Sequence, residues 1–294
     1  MTPRPRTAVL VNPASLTGSS AKNAEVALRH LARAGWDATL VSGSDPADAL
    51  ERTRDHLAAG TDVLTVVGGD GLVHLGLQAV AGSGVPLAVV PAGTGNDFAR
   101  ALGIPRRDPA AAARLITEGT RRAVDLARCG DRWFGTVLAS GFDALVTRRA
   151  NALRRPRGGA RYTVATFVEL ARLRPLPFRL RLDDRELALD ATLVAVGNTC
   201  YYGSGMKVCP DAVPDDGELA VTVVESAPAV RLMTTLPRFY SGSHVSHPKV
   251  RTYRARHVEL AAPDVFAYAD GEFISDLPLT VDCVPGAVSV LVPE

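Results

Sequence analysis

The stretch LTVVGGDGLVHLGLQAV, Leu64–Val80, decides the fold. It opens on an apolar run, passes through three glycines that surround one aspartate, and continues over Leu72–Val80 in a helical pattern. That is a strand, a tight turn and a helix. Glycines at such a junction let the backbone approach a phosphate. A carboxylate there repels a bare phosphate, so Asp70 is the residue that needs a reason.

The same alternation extends on both sides. Strands are expected at 7–11, Asp37–Val41, Val63–Val67 and Pro86–Val90. Helices are expected over Ala21–Ala34, with Leu28 and Leu31 on one face, and from Asp45-Pro46, an N-cap followed by proline at the first helical position. Strands alternating with helices imply right-handed crossovers and a mostly parallel sheet. Ligands of such sheets bind at the carboxyl ends of the strands. A second glycine turn, Pro91–Arg100 (PAGTGNDFAR), follows the strand after the first, so both turns belong to that end.

Beyond about residue 125 short strands take over: Trp133–Ala139, Phe178–Leu182, Ala191–Val196, Leu219–Val224, Arg256–Leu260, Leu279–Cys283 and Val288–Val292. Turn signals such as Asp216-Gly217, Asp270-Gly271 and Pro285-Gly286 separate them, and helical patterns interrupt near Tyr162–Leu173 and Ala229–Tyr240. This reads as an antiparallel sandwich or barrel. The expected architecture is an α/β domain over 1–125 and a β-rich domain over 126–285, with the active site in the cleft between them.

Composition bounds the function. The 294 residues carry a formal net charge of only +2, which argues against a nucleic-acid binder. A hydrophobic fraction of 47% supplies a core, filled by Ala, Val and Leu because aromatics are only 5%. Cys129, Cys200, Cys209 and Cys283 form no C-x-x-C pair and stand at no zinc spacing with histidine, as reduced thiols of a cytosolic protein would. No apolar run approaches the roughly 20 residues of a membrane span, so the expectation is a soluble or surface-bound protein.

No Gly-Lys-Ser/Thr occurs, and after Gly93 and Gly95 the last position of a G-x-G-x-x-G fingerprint is Phe98. A P-loop and an ordinary dinucleotide site are therefore disfavoured. Both turns instead combine small residues, hydroxyl or amide groups and an aspartate. Thr94 and Asn96 can bond phosphate oxygens or fix the loop. Asp70 and Asp97 can ligate Mg²⁺ directly or through its waters, since Mg²⁺ prefers one or two carboxylates plus phosphate oxygens.

GGDG followed by GTGNDFAR resembles the bacterial diacylglycerol kinase and lipid kinase family, whose catalytic domain is shared with sphingosine kinases. Asn12-Pro13, Asn198–Gly205 (NTCYYGSG), Pro210–Leu219 (PDAVPDDGEL) and Asp270-Gly271-Glu272 match further family motifs in order, over nearly the whole chain. Three positions depart: Leu72 stands for a threonine, Leu16 for a glycine (Gly18 follows), and Ser204 for one glycine of a triplet. The resemblance implies an NAD-kinase-like three-layer α/β nucleotide-binding domain, completed by a C-terminal strand at 286–294, and a C-terminal β-sandwich. It implies ATP–Mg²⁺ held by Asn12, Pro13, Gly68, Gly69, Asp70, Gly71, Gly93, Thr94, Asn96 and Asp97. Asp270 and Glu272 would orient and deprotonate the hydroxyl of diacylglycerol or a related lipid alcohol. A carboxylate of pKa about 4 is a weak base, so that role is mainly positioning. A structural Mg²⁺ would take the Asp216 carboxylate and the carbonyls of Val213 and Glu218. Partners would be ATP, a lipid and, transiently, a membrane surface, with a homodimer possible. The basic run Arg148–Arg161 would meet anionic headgroups, or stand as a solvated helix and loop, and Tyr201, Tyr202 and Met206 would receive acyl chains. Two other readings remain open: an NAD-kinase-like enzyme, which shares GGDG, and a non-catalytic nucleotide- or lipid-binding regulator, which Leu72 would favour.

Overall fold

The computed structural model describes residues 4–12, 19–153, 155, 159–170, 174–226 and 237–294. Two compact units divide the chain. The first is residues 1–126, Pro214–Asp216 and Val284–Glu294; the second is Ala127–Val213 and Gly217–Cys283.

The first unit alternates β1 (Arg6–Val11), α1 (Ser19–Arg33), β2 (Asp37–Val41), α2 (Pro46–Ala58), β3 (Val63–Gly68), α3 (Asp70–Val80) and β4 (Leu87–Pro91). The short α4 (Asp97–Ala101) and α5 (Pro109–Glu118) then lead into β5 (Thr120–Cys129). β2, β1, β3 and β4 lie side by side and parallel. Every residue of β3 and β4 is buried, as expected of strands covered on both faces. α1 packs with α5 and α2 with α3. The step from β1 to β2 and the steps from β2 to β3 and β4 run in opposite directions, so right-handed crossovers place the helix pairs on opposite faces. The result is three layers. Asp45 caps α2 as its sequence promises, accepting from the amides of Ala47 and Asp48 at 2.9 and 3.0 Å.

The second unit is antiparallel. It holds β6 (Arg132–Phe134), β7 (Val137–Gly141), α6 (Phe142–Ala152), α7 (Gly159–Leu170), β8 (Leu176–Leu182) and β9 (Arg185–Gly197). A small hairpin, β10 (Tyr201–Tyr202) and β11 (Met206–Lys207), precedes β12 (Leu219–Glu225), β13 (Val250–Ala255), β14 (His257–Ala261), β15 (Phe266–Ala269) and β16 (Glu272–Asp276). β9 is the organising strand. Its first half pairs with β8, while Leu193–Gly197 lies between β7 and β12. The core of this unit includes Phe134, Phe178, Val194, Val221 and Val281.

Two expectations need correction. Trp133–Ala139 is not one strand: Gly135 and Thr136 break it into β6 and β7, and both turn their amides to a carboxylate described below. Leu279–Cys283 and Val288–Val292 are not two strands: β17 runs unbroken from Leu279 to Val292. Gly286 takes a left-handed φ of 59°, open to glycine, and donates its N–H to Asp125 at 2.8 Å, so Pro285-Gly286 is a local kink within the strand. The early part of β17 pairs with β14; its later part joins the first unit's sheet, with Val290 opposite Leu87. The expected helix at Tyr162–Leu173 is α7, whose last three expected positions lie outside the described residues, as does most of Ala229–Tyr240.

Candidate active site

In the first unit the two glycine turns meet. Only Gly69 separates β3 from α3, so Asp70 and Gly71 already belong to the helix's first turn. A Cβ on Gly93 would sit 2.5 Å from the Gly69 Cα, and one on Gly69 would sit 3.0 Å from the Gly93 Cα. These glycines are required because the two backbones touch. The Ala92 N–H donates to the Gly68 carbonyl at 2.8 Å, closing the same junction.

Asp70 ties the turns together. Its Oδ1 accepts from the amides of Asp97 and Phe98 at 2.7 and 3.3 Å, satisfying the first turn of α4. Asn96 braces its own loop: the Gly93 amide donates to its Oδ1 at 3.0 Å, and its Nδ2 donates to the Gly93 carbonyl at 2.8 Å. It does so with φ 50°, a left-handed geometry that asparagine tolerates better than most residues. Asp97 is only 4% exposed and stands 3.4 Å from the Arg100 guanidinium, beneath the loop. Gly93 and Thr94 are exposed, and so is Asn12 at the end of β1. Pro13 lies outside the described residues, as do Leu16 and Gly18. Leu72 lies against Gly68, where a Cβ would fall 2.7 Å from its Cδ2.

In the second unit Asp270-Gly271 is the two-residue turn between β15 and β16, with Ala269 opposite Glu272. Both turn residues have positive φ, 52° and 86°, as a type I′ turn demands. The Asp270 carboxylate is held by donors from Gly135 and Thr136. Oδ2 accepts from the Gly135 amide at 3.1 Å; Oδ1 accepts from the Thr136 amide at 2.9 Å and from the Thr136 hydroxyl. Glu272 is exposed beside it. Nothing in the sequence around Trp133 signalled that Gly135 and Thr136 would be its partners.

In the segment Val213–Glu218, Asp215 pairs with Arg122 at 2.8 Å and Glu218 pairs with Arg254 at 2.7 Å. The expected cation donors there are one carboxylate, Asp216, and the carbonyls of Val213 and Glu218. All are hard oxygens, the donor chemistry Mg²⁺ takes. Among the described residues no three His, Cys, Asp or Glu side chains cluster to hold a metal. A cation would therefore rely on carbonyl, phosphate or water oxygens besides a single carboxylate.

An acid outside the expected set has a strongly raised pKa. Burial pushes the Asp143 carboxyl, at the start of α6, up to about 6, although the Tyr202 hydroxyl donates to it at 3.1 Å. The expected acyl-chain residues Tyr202 and Met206 are half-buried against the core that α6 covers. The basic run is partly engaged: Arg149 pairs with Glu169, Arg148 stacks 4.1 Å from the Phe266 ring, and Arg161 lies 5.2 Å from the Tyr162 ring. Among the described residues no helix is long and apolar enough to cross a membrane.

Residues 6–129 match the diacylglycerol kinase catalytic domain, and residues 136–292 match the YegS C-terminal NAD kinase beta sandwich-like domain. A diacylglycerol kinase of Mycobacterium tuberculosis is 43% identical over 97% of this chain and 94% of its own length. The chain belongs to the diacylglycerol kinase family. That membership makes it an enzyme of the lipid kinase class, and ATP is the co-substrate such kinases imply. Another family relative, a probable lipid kinase YegS-like protein of Stenotrophomonas maltophilia, is 32% identical over 95% of this chain and 94% of its own length. A family crystal structure, a diacylglycerol kinase from Bacillus anthracis, superposes with a TM-score of 0.80 at 25% identity, covering 100% of this chain and 99% of that one.

Proposed function

We propose that the protein transfers the γ-phosphate of ATP, in a Mg²⁺-dependent reaction, to the hydroxyl of diacylglycerol or a related lipid alcohol. The observation that carries this reading is the fusion of the two glycine turns by Asp70 within a chain of the diacylglycerol kinase family. The exposed backbone of Gly93 and Thr94 and the opening turn of α3, with Gly68, Gly69 and Gly71, form an anionic-ligand cradle. The amide and hydroxyl of Thr94 donate to phosphate oxygens, and Asn12 at the neighbouring strand end lines the same side. Asn96 keeps the loop open for them. Asp97 shapes the loop through Arg100. Asp70, a hard oxygen donor at the loop junction, would hold Mg²⁺, which would supply neutralisation of phosphate charge there. The Asp216 carboxylate and the Val213 and Glu218 carbonyls would hold a second Mg²⁺ with a structural role.

Asp270 and Glu272 act on the lipid. Glu272, exposed at the head of β16, accepts the hydroxyl proton late in transfer, and Asp270 orients that hydroxyl. Phosphoryl transfer asks for positioning more than for a strong base. The protein works from the cytoplasmic side in transient contact with a membrane. α7 supports this: it exposes Phe167 (58%) and Val164 (41%) next to the basic run, and its acid, Glu169, is buried against Arg149.

Incubation with labelled ATP, Mg²⁺ and a panel of lipid alcohols tests the proposal, the expected result being a phosphorylated lipid. Phosphorylation of NAD alone, or nucleotide binding with no lipid product, overturns it.

A further inference from the structure

The N-terminal residue of the NTCYYGSG motif, Asn198, is fully buried and lies in the second unit. Its amide donates to the Thr136 carbonyl at 2.8 Å, and Thr199 donates to the same oxygen at 3.3 Å. The Asn198 side-chain Nδ2 donates to the Gly135 carbonyl at 3.2 Å. That carbonyl and the Thr136 N–H are the two ends of one peptide unit. The far end donates to Asp270 Oδ1 at 2.9 Å, where the Thr136 hydroxyl also arrives. Thr136 is 4% exposed, so the bonds from Asn198 to Thr136 run through protein and end on the half-buried Asp270 carboxylate. In such surroundings hydrogen bonds in series polarise one another, and the orientation of the middle peptide fixes both ends.

We infer that Asn198 is a positioning residue for the phosphoryl-transfer site, acting through the Gly135–Thr136 peptide to aim the Asp270 carboxylate at the lipid hydroxyl. This rests on the reading of Asp270 given above. It also gives the break between β6 and β7 a purpose, because an unbroken strand would point two successive amides to opposite edges, whereas here both reach one carboxylate. Thr136 is the second positioning residue, since it supplies two donors, its amide and its hydroxyl.

Asn198→Ala removes the Nδ2 donor and frees the peptide to rotate. Thr136→Val keeps the amide and removes only the hydroxyl; Thr136→Ser puts the hydroxyl back. The charged and titratable groups on the described elements around the hairpin include Glu272 and Asp276 on β16, Tyr268 on β15, Arg132, whose guanidinium donates to the Phe273 carbonyl at 2.7 Å, and, on α6, Arg148 stacked over Phe266 with Arg149 and Asp143. All are unchanged in these variants. Donors to a carboxylate favour its ionised form, so losing them moves the acid limb of the rate profile to higher pH.

The expected result for Asn198→Ala and for Thr136→Val is a kcat lower by about 10–100-fold, as for other groups that orient a catalytic side chain. The KM for ATP stays within about twofold of wild type, and the acid limb shifts upward. Thr136→Ser returns the limb toward its wild-type position. Thermal unfolding and ATP titration on each variant supply the folded concentration. If Asn198→Ala does not fold, Thr136→Val and Thr136→Ser decide the matter. A wild-type kcat, or a loss that scales with folded fraction and leaves the limb in place, overturns the inference. Asp270→Asn separates the two readings: turnover by that variant defeats the role of Asp270 itself. An inactive Asp270→Asn beside an unmoved limb in the other variants defeats only the relay.

Discussion

Asp70 answers the question its position raises by serving the protein before it serves a ligand. Two backbone amides that open α4 have this carboxylate as their acceptor. Asp70→Ala leaves both unsatisfied and should cost about 1–2 kcal/mol, read from denaturant unfolding, along with nucleotide binding. Asp70→Asn keeps an acceptor oxygen there. It should unfold near the wild-type midpoint yet show no stabilisation by Mg²⁺–ATP; a wild-type thermal shift would sink the charge-based role. Leu72 has a local account too. Its side chain fills the space beside Gly68, so the threonine of the family pattern is replaced by packing at that point. Leu72→Thr therefore should lose roughly 1 kcal/mol of stability through lost apolar burial, read from thermal unfolding. Asp143 makes a pH-dependent contribution. Its carboxyl sits at about 6, above an ordinary 3.9, because burial disfavours the charge. The folded state thus holds this proton more tightly than the unfolded one. Its contribution is complete below about pH 4 and is lost as pH rises through about 6, on the order of 3 kcal/mol. Asp143→Asn, which still accepts from Tyr202, should flatten that decline in a series of melts from pH 4 to 8.

At the level of elements, what the sequence makes legible is what local chemistry decides. β3, α3, β4 and the Asp45 cap follow from apolar runs, glycine turns and capping residues, and the structure has them where those signals stand. The glycine turns likewise announce their place at the ends of β3 and β4. What stayed hidden depends on partners far along the chain. The amides of Gly135 and Thr136 are claimed by Asp270, 135 and 134 residues away, and no periodicity near Trp133 encodes that. Phe266–Ala269 and Glu272–Asp276 were visible only through the turn between them, since each strand is too short to show alternation. Pro285-Gly286 reads as a stop, but β17 passes through it because Asp125 receives the Gly286 amide. The turn itself offers a test of the hairpin: Gly271→Ala, forced to φ 86°, should destabilise by about 1 kcal/mol in thermal unfolding.

The whole molecule is two units whose boundaries are not simple cuts, since Pro214–Asp216 and Val284–Glu294 return to the first. The later part of β17 is a strand of the first unit's sheet, beside β4 and β5. The order of synthesis follows from this. The ribosome releases residues 1–126 long before the chain reaches Val284, so the nascent first unit must wait with the β4 edge of its sheet unpaired while the second unit is made. Such an edge invites pairing with other chains. Every truncation or nonsense change that removes Val284–Glu294 should therefore yield aggregated protein, whereas a tag appended after Glu294 should leave assembly intact.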